Sequence, residues 1–174
     1  MIEIFRPDVY SKSIFDVNYK KLKEKGIKCI LLDLDNTIAP VNIEKPDNKM
    51  KKFLYELKEK GFHLIIMSNS QKKRVEPFKN ELELDSAAFS MKPRKAKYMK
   101  ILKTFGYKPE EVAAIGDQLL TDVLGANRMQ ITSILVNPMS KKDGISTNLN
   151  RIIERMIIKR LEKKELFERG KYYD

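Results

Sequence analysis

Five short apolar runs, spaced by segments of helical periodicity, constrain this chain more than any other feature. Residues 27–32 end on Asp33, and residues 62–67 end on Ser68-Asn69-Ser70. Residues 87–90 lead to Lys92-Pro93, residues 112–115 end on Gly116-Asp117, and residues 131–136 close the series. Runs of this kind read as strands buried on both faces. Between the first two, Met50, Phe53, Leu54 and Leu57 recur at helical spacing, with Asp47 as N-cap and Gly61 as stop. Residues 71–82 predict a helix that Pro77 shortens or kinks. Residues 94–105 predict another, with Met99, Leu102 and Phe105 on one face and Gly106 closing it, and residues 119–129 a fourth. Strands alternating with helices imply βαβ units, hence an α/β fold: a Rossmann-like, doubly wound parallel sheet of about five strands. Such sheets gather ligands at the carboxyl ends of their strands. Chemistry is therefore to be sought directly after each run.

The first exit, Asp33-Leu34-Asp35-Asn36-Thr37, carries two carboxylates on alternate positions, so a chain still extended there turns both to one side. An aspartate can act as a covalent nucleophile in phosphoryl transfer. A second acid can protonate the leaving oxygen and later activate water. Two close carboxylates also repel, which invites a hard divalent cation such as Mg2+. Ser68-Asn69 offers a hydroxyl and backbone N–H groups for phosphoryl oxygens. Lys92 offers a balancing ammonium, while Asp117 and Asp122 add acidic oxygens for a cation. Singly, each has a plain alternative: a turn for Asp33-x-Asp35, a helix cap for Ser68-Asn69-Ser70, solvated charges for Lys92 and Asp122. Four such motifs in order, each at a strand exit, argue against coincidence.

These motifs resemble those of the haloacid dehalogenase superfamily, matched at Asp33-x-Asp35-x-Thr37, Ser68, Lys92 and Gly116-Asp117-x-x-x-x-Asp122. The resemblance implies Asp33 as nucleophile and Asp35 as general acid/base, with Ser68 and Lys92 on the phosphoryl group. It also implies Mg2+ held by Asp33, the backbone carbonyl of Asp35, and Asp117, with Asp122 close by. Thr37, Asn69 and Arg94 complete the expected substrate-binding set. An aspartate at the Asp35 position suggests a phosphatase. The strings Leu31-Leu32-Asp33-Leu34-Asp35-Asn36-Thr37 and Gly116-Asp117-Gln118-Leu119-Leu120-Thr121-Asp122 look like the YqeG group of that superfamily (subfamily IIIA), which is related to mitochondrial phosphatidylglycerophosphate phosphatases.

Residues 26–138 form the expected phosphatase core. Residues 1–25 read as an N-terminal arm packing on it, and residues 139–174 as a basic, amphipathic helix and tail. In that tail Leu149, Ile152, Ile153, Met156, Ile157 and Leu161 make one stripe, and Arg151, Arg155, Lys159 and Lys163 another. The intervals between motifs are too short for a cap domain, which needs about 50 residues or more. An open pocket is expected, suited to a phosphate displayed on something large. The net charge of +11 adds attraction to polyanions. A phosphorylated substrate is thus the expected partner, with an anionic phospholipid such as phosphatidylglycerophosphate foremost. A nucleic-acid end, a small metabolite, or a non-catalytic assembly role are the alternatives. One cysteine, Cys29, excludes an internal disulfide. No segment reaches the ~20 apolar residues of a transmembrane helix and residues 1–10 lack a signal-peptide stretch, so the expected location is cytoplasmic, with peripheral attachment at the inner membrane face.

Overall fold

The computed structural model describes residues 2–140 and 145–174, the side chains of residues 145–149 excepted. Six strands form one all-parallel sheet in the order β1-β6-β5-β2-β3-β4. They are β1 (Val9–Ser11), β2 (Cys29–Leu32), β3 (His63–Met67), β4 (Asp85–Ala87), β5 (Val112–Gly116) and β6 (Thr132–Val136). The helices are α1 (Tyr19–Glu24), α2 (Asn48–Glu59), α3 (Lys72–Leu82), α4 (Lys95–Phe105), α5 (Leu124–Arg128) and α6 (Ile145–Lys163). The strand order reverses direction beside β2, which places the switch point at Asp33. Every residue of β2 is buried, as a central strand covered by helices on both faces requires. One face packs Ile30, Leu32, Leu64 and Ile66 against Leu54 and Phe78 of α2 and α3. The other packs Cys29, Leu31, Ile65 and Met67 against Tyr98 and Ile101 of α4.

The sheet adds a sixth strand to the five expected. Val9, Tyr10 and Ser11 of the N-terminal arm pair with Ile134, Leu135 and Val136. Three residues are too few to show a period, so only the partner strand reveals this edge. The tail closes the same edge: Tyr10 and Tyr173 exchange backbone hydrogen bonds at 2.8 and 2.9 Å.

Other differences are local. The third expected strand shifts from residues 87–90 to Asp85–Ala87, a mostly exposed edge segment that apolar patterning overlooks. The helix over Pro77 continues to Leu82. On α4 the buried positions are Tyr98 and Ile101, while Met99 is 52% exposed. The segment after Asp117 opens with a π-turn at Leu119–Val123 before α5 begins, a feature often found at functional sites. Helix α6 buries Ile157, Ile158 and Leu161 against Tyr10, Leu119, Val123 and Leu135, but leaves Ile152, Ile153 and Met156 exposed. The Leu149 side chain of the expected stripe lies outside the described residues. No helix among the described residues is long and apolar enough to cross a membrane.

Candidate active site

Because all six strands run parallel, their carboxyl ends share one edge of the sheet. A cavity of about 780 Å3 opens there, with Asp33, Asp35, Ser68, Asn69, Lys92 and Thr121 in its wall.

Asp33 continues β2 by donating its N–H to the Ile115 carbonyl at 2.9 Å. The chain then turns tightly: the N–H groups of Thr37, Ile38 and Ala39 all reach the Leu34 carbonyl. Asn36 takes the left-handed conformation that this turn needs, at φ 63°. The Lys92 ammonium donates to Asp33 at 2.7 Å and to Asp122 at 2.6 Å, with its side chain only 4% exposed. Asp122 reaches inward because Gly116 lacks a side chain; a Cβ there would overlap the Asp122 carboxylate. The Gln118 N–H donates to the other Asp122 oxygen at 3.2 Å.

Asp33, Asp117 and Asp122 each present an oxygen within 4.8 Å of the other two. The Asp117 carboxylate is fully buried, and its Oδ1 has no hydrogen-bond partner. Three convergent carboxylates and one orphaned acceptor suit a hard divalent cation, which prefers oxygen ligands. Burial pushes the Asp33 carboxyl up to about 7, aided by Asp122 and Asp35 and opposed by Lys92. Burial likewise raises Asp117 well above the usual carboxylate range, with Arg151 opposing. Burial works against the Lys92 charge, but Asp122 and Asp33 outweigh it and hold its pKa above the ordinary value.

Asp35 is not part of the three-carboxylate cluster. Its carboxylate accepts Ser70 Oγ at 2.5 Å and Arg74 Nε at 3.0 Å. Arg74 is anchored further by the Pro40 and Ile43 carbonyls and by its position 4.7 Å over the Phe78 ring. Ser68 is buried on the cavity wall, its oxygen accepting the Ser70 N–H at 3.0 Å. Asn69 clamps the next loop: its oxygen accepts Ser90 Oγ and the Lys92 N–H, both at 2.7 Å, and its amide donates to the Lys92 carbonyl at 3.1 Å. That amide is thus committed to presenting Lys92. Thr37 is buried with its hydroxyl unpartnered and does not reach the cavity wall. Arg94 stands exposed at the N-cap of α4 and does not line the cavity either.

Two arginines were not legible as site residues. Arg74 lies in the Lys72-Lys73-Arg74 cluster, which reads as a solvated helix face. Arg151 arrives from α6, with Nη2 on Asp117 Oδ2 and Nη1 3.0 Å from the Asp117 main-chain oxygen. Its only sequence signal is a place in a basic stripe. His63 is bonded to Asp85 at 2.8 Å and Tyr107 at 3.1 Å at the amino ends of β3 and β4, the opposite edge of the sheet from the cavity.

A parallel sheet with an acidic cluster and a buried lysine at its switch point defines a class of hydrolase. A family model of haloacid dehalogenase-like hydrolases matches residues 5–130, so the chain belongs to that family, and within it the chain is a phosphatase. It is 36% identical over 162 residues to "Probable phosphatase YqeG" of Bacillus subtilis (strain 168), covering 93% of this chain and 94% of that protein. It is 23% identical over 151 residues to "Phosphatidylglycerophosphate phosphatase 1, chloroplastic/mitochondrial" of Arabidopsis thaliana, covering 79% of this chain but only 42% of that protein. Among solved structures, the cobalt-bound deoxy-D-mannose-octulosonate 8-phosphate phosphatase (YrbI) of Haemophilus influenzae aligns with a TM-score of 0.55. That match covers 84% of this chain and 95% of the other at 14% identity, a likeness of fold alone. The resemblance stated from the four motifs therefore holds.

Proposed function

We propose that this chain is a Mg2+-dependent phosphatase acting through an aspartyl-phosphate on Asp33. The carrying observation is the convergence of Asp33, Asp117 and Asp122 within 4.8 Å, with Lys92 bridging two of them on the wall of the cavity. In the first step an Asp33 oxygen bonds to phosphorus while the bond to the leaving oxygen breaks, and Asp35 gives that oxygen a proton. In the second, Asp35 takes a proton from water as its oxygen attacks phosphorus, releasing phosphate and regenerating Asp33. Lys92 balances charge on the phosphoryl oxygens, with the Ser68 hydroxyl as a further donor. Asp33, Asp117, Asp122 and the Asp35 backbone would hold Mg2+, which supplies charge neutralisation when bound.

The proposed substrate is a phosphomonoester displayed on an anionic membrane, such as phosphatidylglycerophosphate. Ile43, Phe89, Met91 and Met139 are exposed on loops leaving the carboxyl edge of the sheet. The opposite edge buries Phe62, Leu84 and Ile131, with Phe105 beside His63 exposed. Phe89 and Met91 are 56% and 54% exposed, in left-handed conformations at φ 48° and 56°. Non-glycine residues rarely take that conformation, and such strain concentrates at functional loops. Helices α3 and α4 start beside them without an acidic residue in the first turn, and Lys72, Lys73, Arg94 and Lys95 are exposed there. Cations at helix starts oppose the helix dipole, so this rim is strongly positive at a cost in local stability. Apolar tips inside a basic rim match the chemistry of an anionic leaflet.

The test is hydrolysis with Mg2+ of phosphatidylglycerophosphate in vesicles, set against sugar phosphates, nucleotides and 5′-phosphorylated oligonucleotides. Asp33→Asn is expected to lower turnover by about four orders of magnitude or more while keeping the fold, as loss of a nucleophile does. Equal turnover by Asp33→Asn would sink the covalent role. A strong preference for a soluble metabolite or an oligonucleotide end would overturn the lipid assignment and leave the chemistry standing.

A further inference from the structure

The family match ends at residue 130, yet Arg151, beyond it, pairs with the Asp117 carboxylate of the cluster. Helix α6 is held on the core by Ile157, Ile158, Leu161 and the nearby Phe167, all buried. That packing sets Arg151 over the exit of β5. The guanidinium forks onto Asp117, one nitrogen on Oδ2 and the other on the main-chain oxygen. One turn further along α6, Glu154 accepts from Arg151 at 3.2 Å and, with its other oxygen, from the Leu120 N–H at 3.0 Å. Glu154 is only 2% exposed. Its second bond falls in the π-turn that carries Asp122. Two residues of one helix thus hold both ends of the segment supplying two of the three clustered carboxylates.

Two effects of Arg151 on a cation site oppose each other. A nearby guanidinium repels a divalent cation. The same guanidinium occupies Asp117 Oδ2 and the main chain, which leaves Oδ1 as the buried, unpaired oxygen that a cation would take. Glu154, in contact with Arg151, cancels most of the repulsive charge, so orientation prevails. A planar fork fixes a carboxylate in a way that a flexible ammonium cannot.

We infer that Arg151, backed by Glu154, is a positioning residue for the divalent-cation site, which makes α6 a working part of the active site. This rests on reading Asp33, Asp117 and Asp122 as that site. The experiment is calorimetric titration of the full chain with MgCl2, without substrate, alongside circular dichroism to verify folding. Arg151→Met is expected to weaken Mg2+ binding by about 10- to 100-fold, the scale found when support behind a metal ligand is removed. Arg151→Lys keeps the charge but loses the fork, and is expected to recover only part of that loss. It carries the test by itself should the methionine variant not fold. Met156→Ala, a change at an exposed position of the same helix, is expected to leave the affinity unchanged. Unchanged or tighter Mg2+ binding in folded Arg151 variants overturns the inference. Absence of Mg2+ binding by the unsubstituted chain is a distinct result, which removes the cation site itself and this inference with it.

Discussion

Two cations enter the carboxylate cluster from different parts of the chain, and they are held differently. Lys92 comes from the loop after β4, presents a single ammonium, and shares it between Asp33 and Asp122. Arg151 comes from α6 and is fastened to Asp117 while Glu154 neutralises it. An ammonium on a flexible stem is a point charge that can follow a phosphoryl group as it arrives and leaves. A forked guanidinium with its own counter-charge can only keep a carboxylate in place. The contrast separates charge that serves the reacting group from charge that serves the geometry.

The largest effect that would break this contrast comes from Lys92→Met. It removes charge from the reacting group, so kcat at saturating Mg2+ should fall by about 10²- to 10³-fold. Arg151→Met should instead change mainly the Mg2+ concentration needed. Steady-state kinetics across a Mg2+ series separates them, and the same pattern in both variants would end the distinction.

A smaller effect concerns stability against pH in chelator-treated protein. Burial raises the Asp33 carboxyl to about 7 in the folded chain, above its unfolded value near 4. A raised carboxyl binds its proton more tightly when folded, so its ionisation favours unfolding. The Asp33 contribution to stability should therefore fall as pH rises from about 4 to about 7, by on the order of a few kcal/mol, with Asp117 adding a fall of the same sign. Denaturant titrations of Asp33→Asn should show a shallower slope, the remainder coming from Asp117, whose carboxyl is also raised by burial. A slope kept in full would mean that Lys92 already holds Asp33 ionised.

The smallest expected effect sharpens the Lys92 side. In Gly116→Ala the new methyl must displace the Asp122 carboxylate, one of the two acceptors of the ammonium. Forcing an atom into a filled site costs about 1–3 kcal/mol. Thermal unfolding should register that loss. If stability and Mg2+ affinity both stay unchanged, the cluster is looser than its distances suggest.

Much of this site is legible in the sequence. Asp33, Ser68, Lys92 and Asp117 each follow an apolar run, and parallel strands bring their exits to one edge whatever the helices between them do. Arg94 was also expected at the phosphate because it is near Lys92 in sequence. The chain turns into α4 at Arg94, which carries it off the cavity wall. Asn69 reaches the wall, but its amide is used up on the Lys92 loop. Arg74 was hidden in a lysine-rich cluster, where composition gives no hint that a single member turns inward to Asp35.

By itself, the order of apolar runs and polar exits determined the parallel sheet and which acids stand at its strand exits, because strand periodicity and buried apolar runs are local properties of the chain. The strand order that puts the switch point at Asp33 came from the structure. Only the tertiary structure decided that Val9–Ser11 joins the sheet edge and that Arg151 and Glu154 brace Asp117. Those contacts link segments more than 30 residues apart, and they depend on where α6 and the edge strand come to rest on the finished sheet.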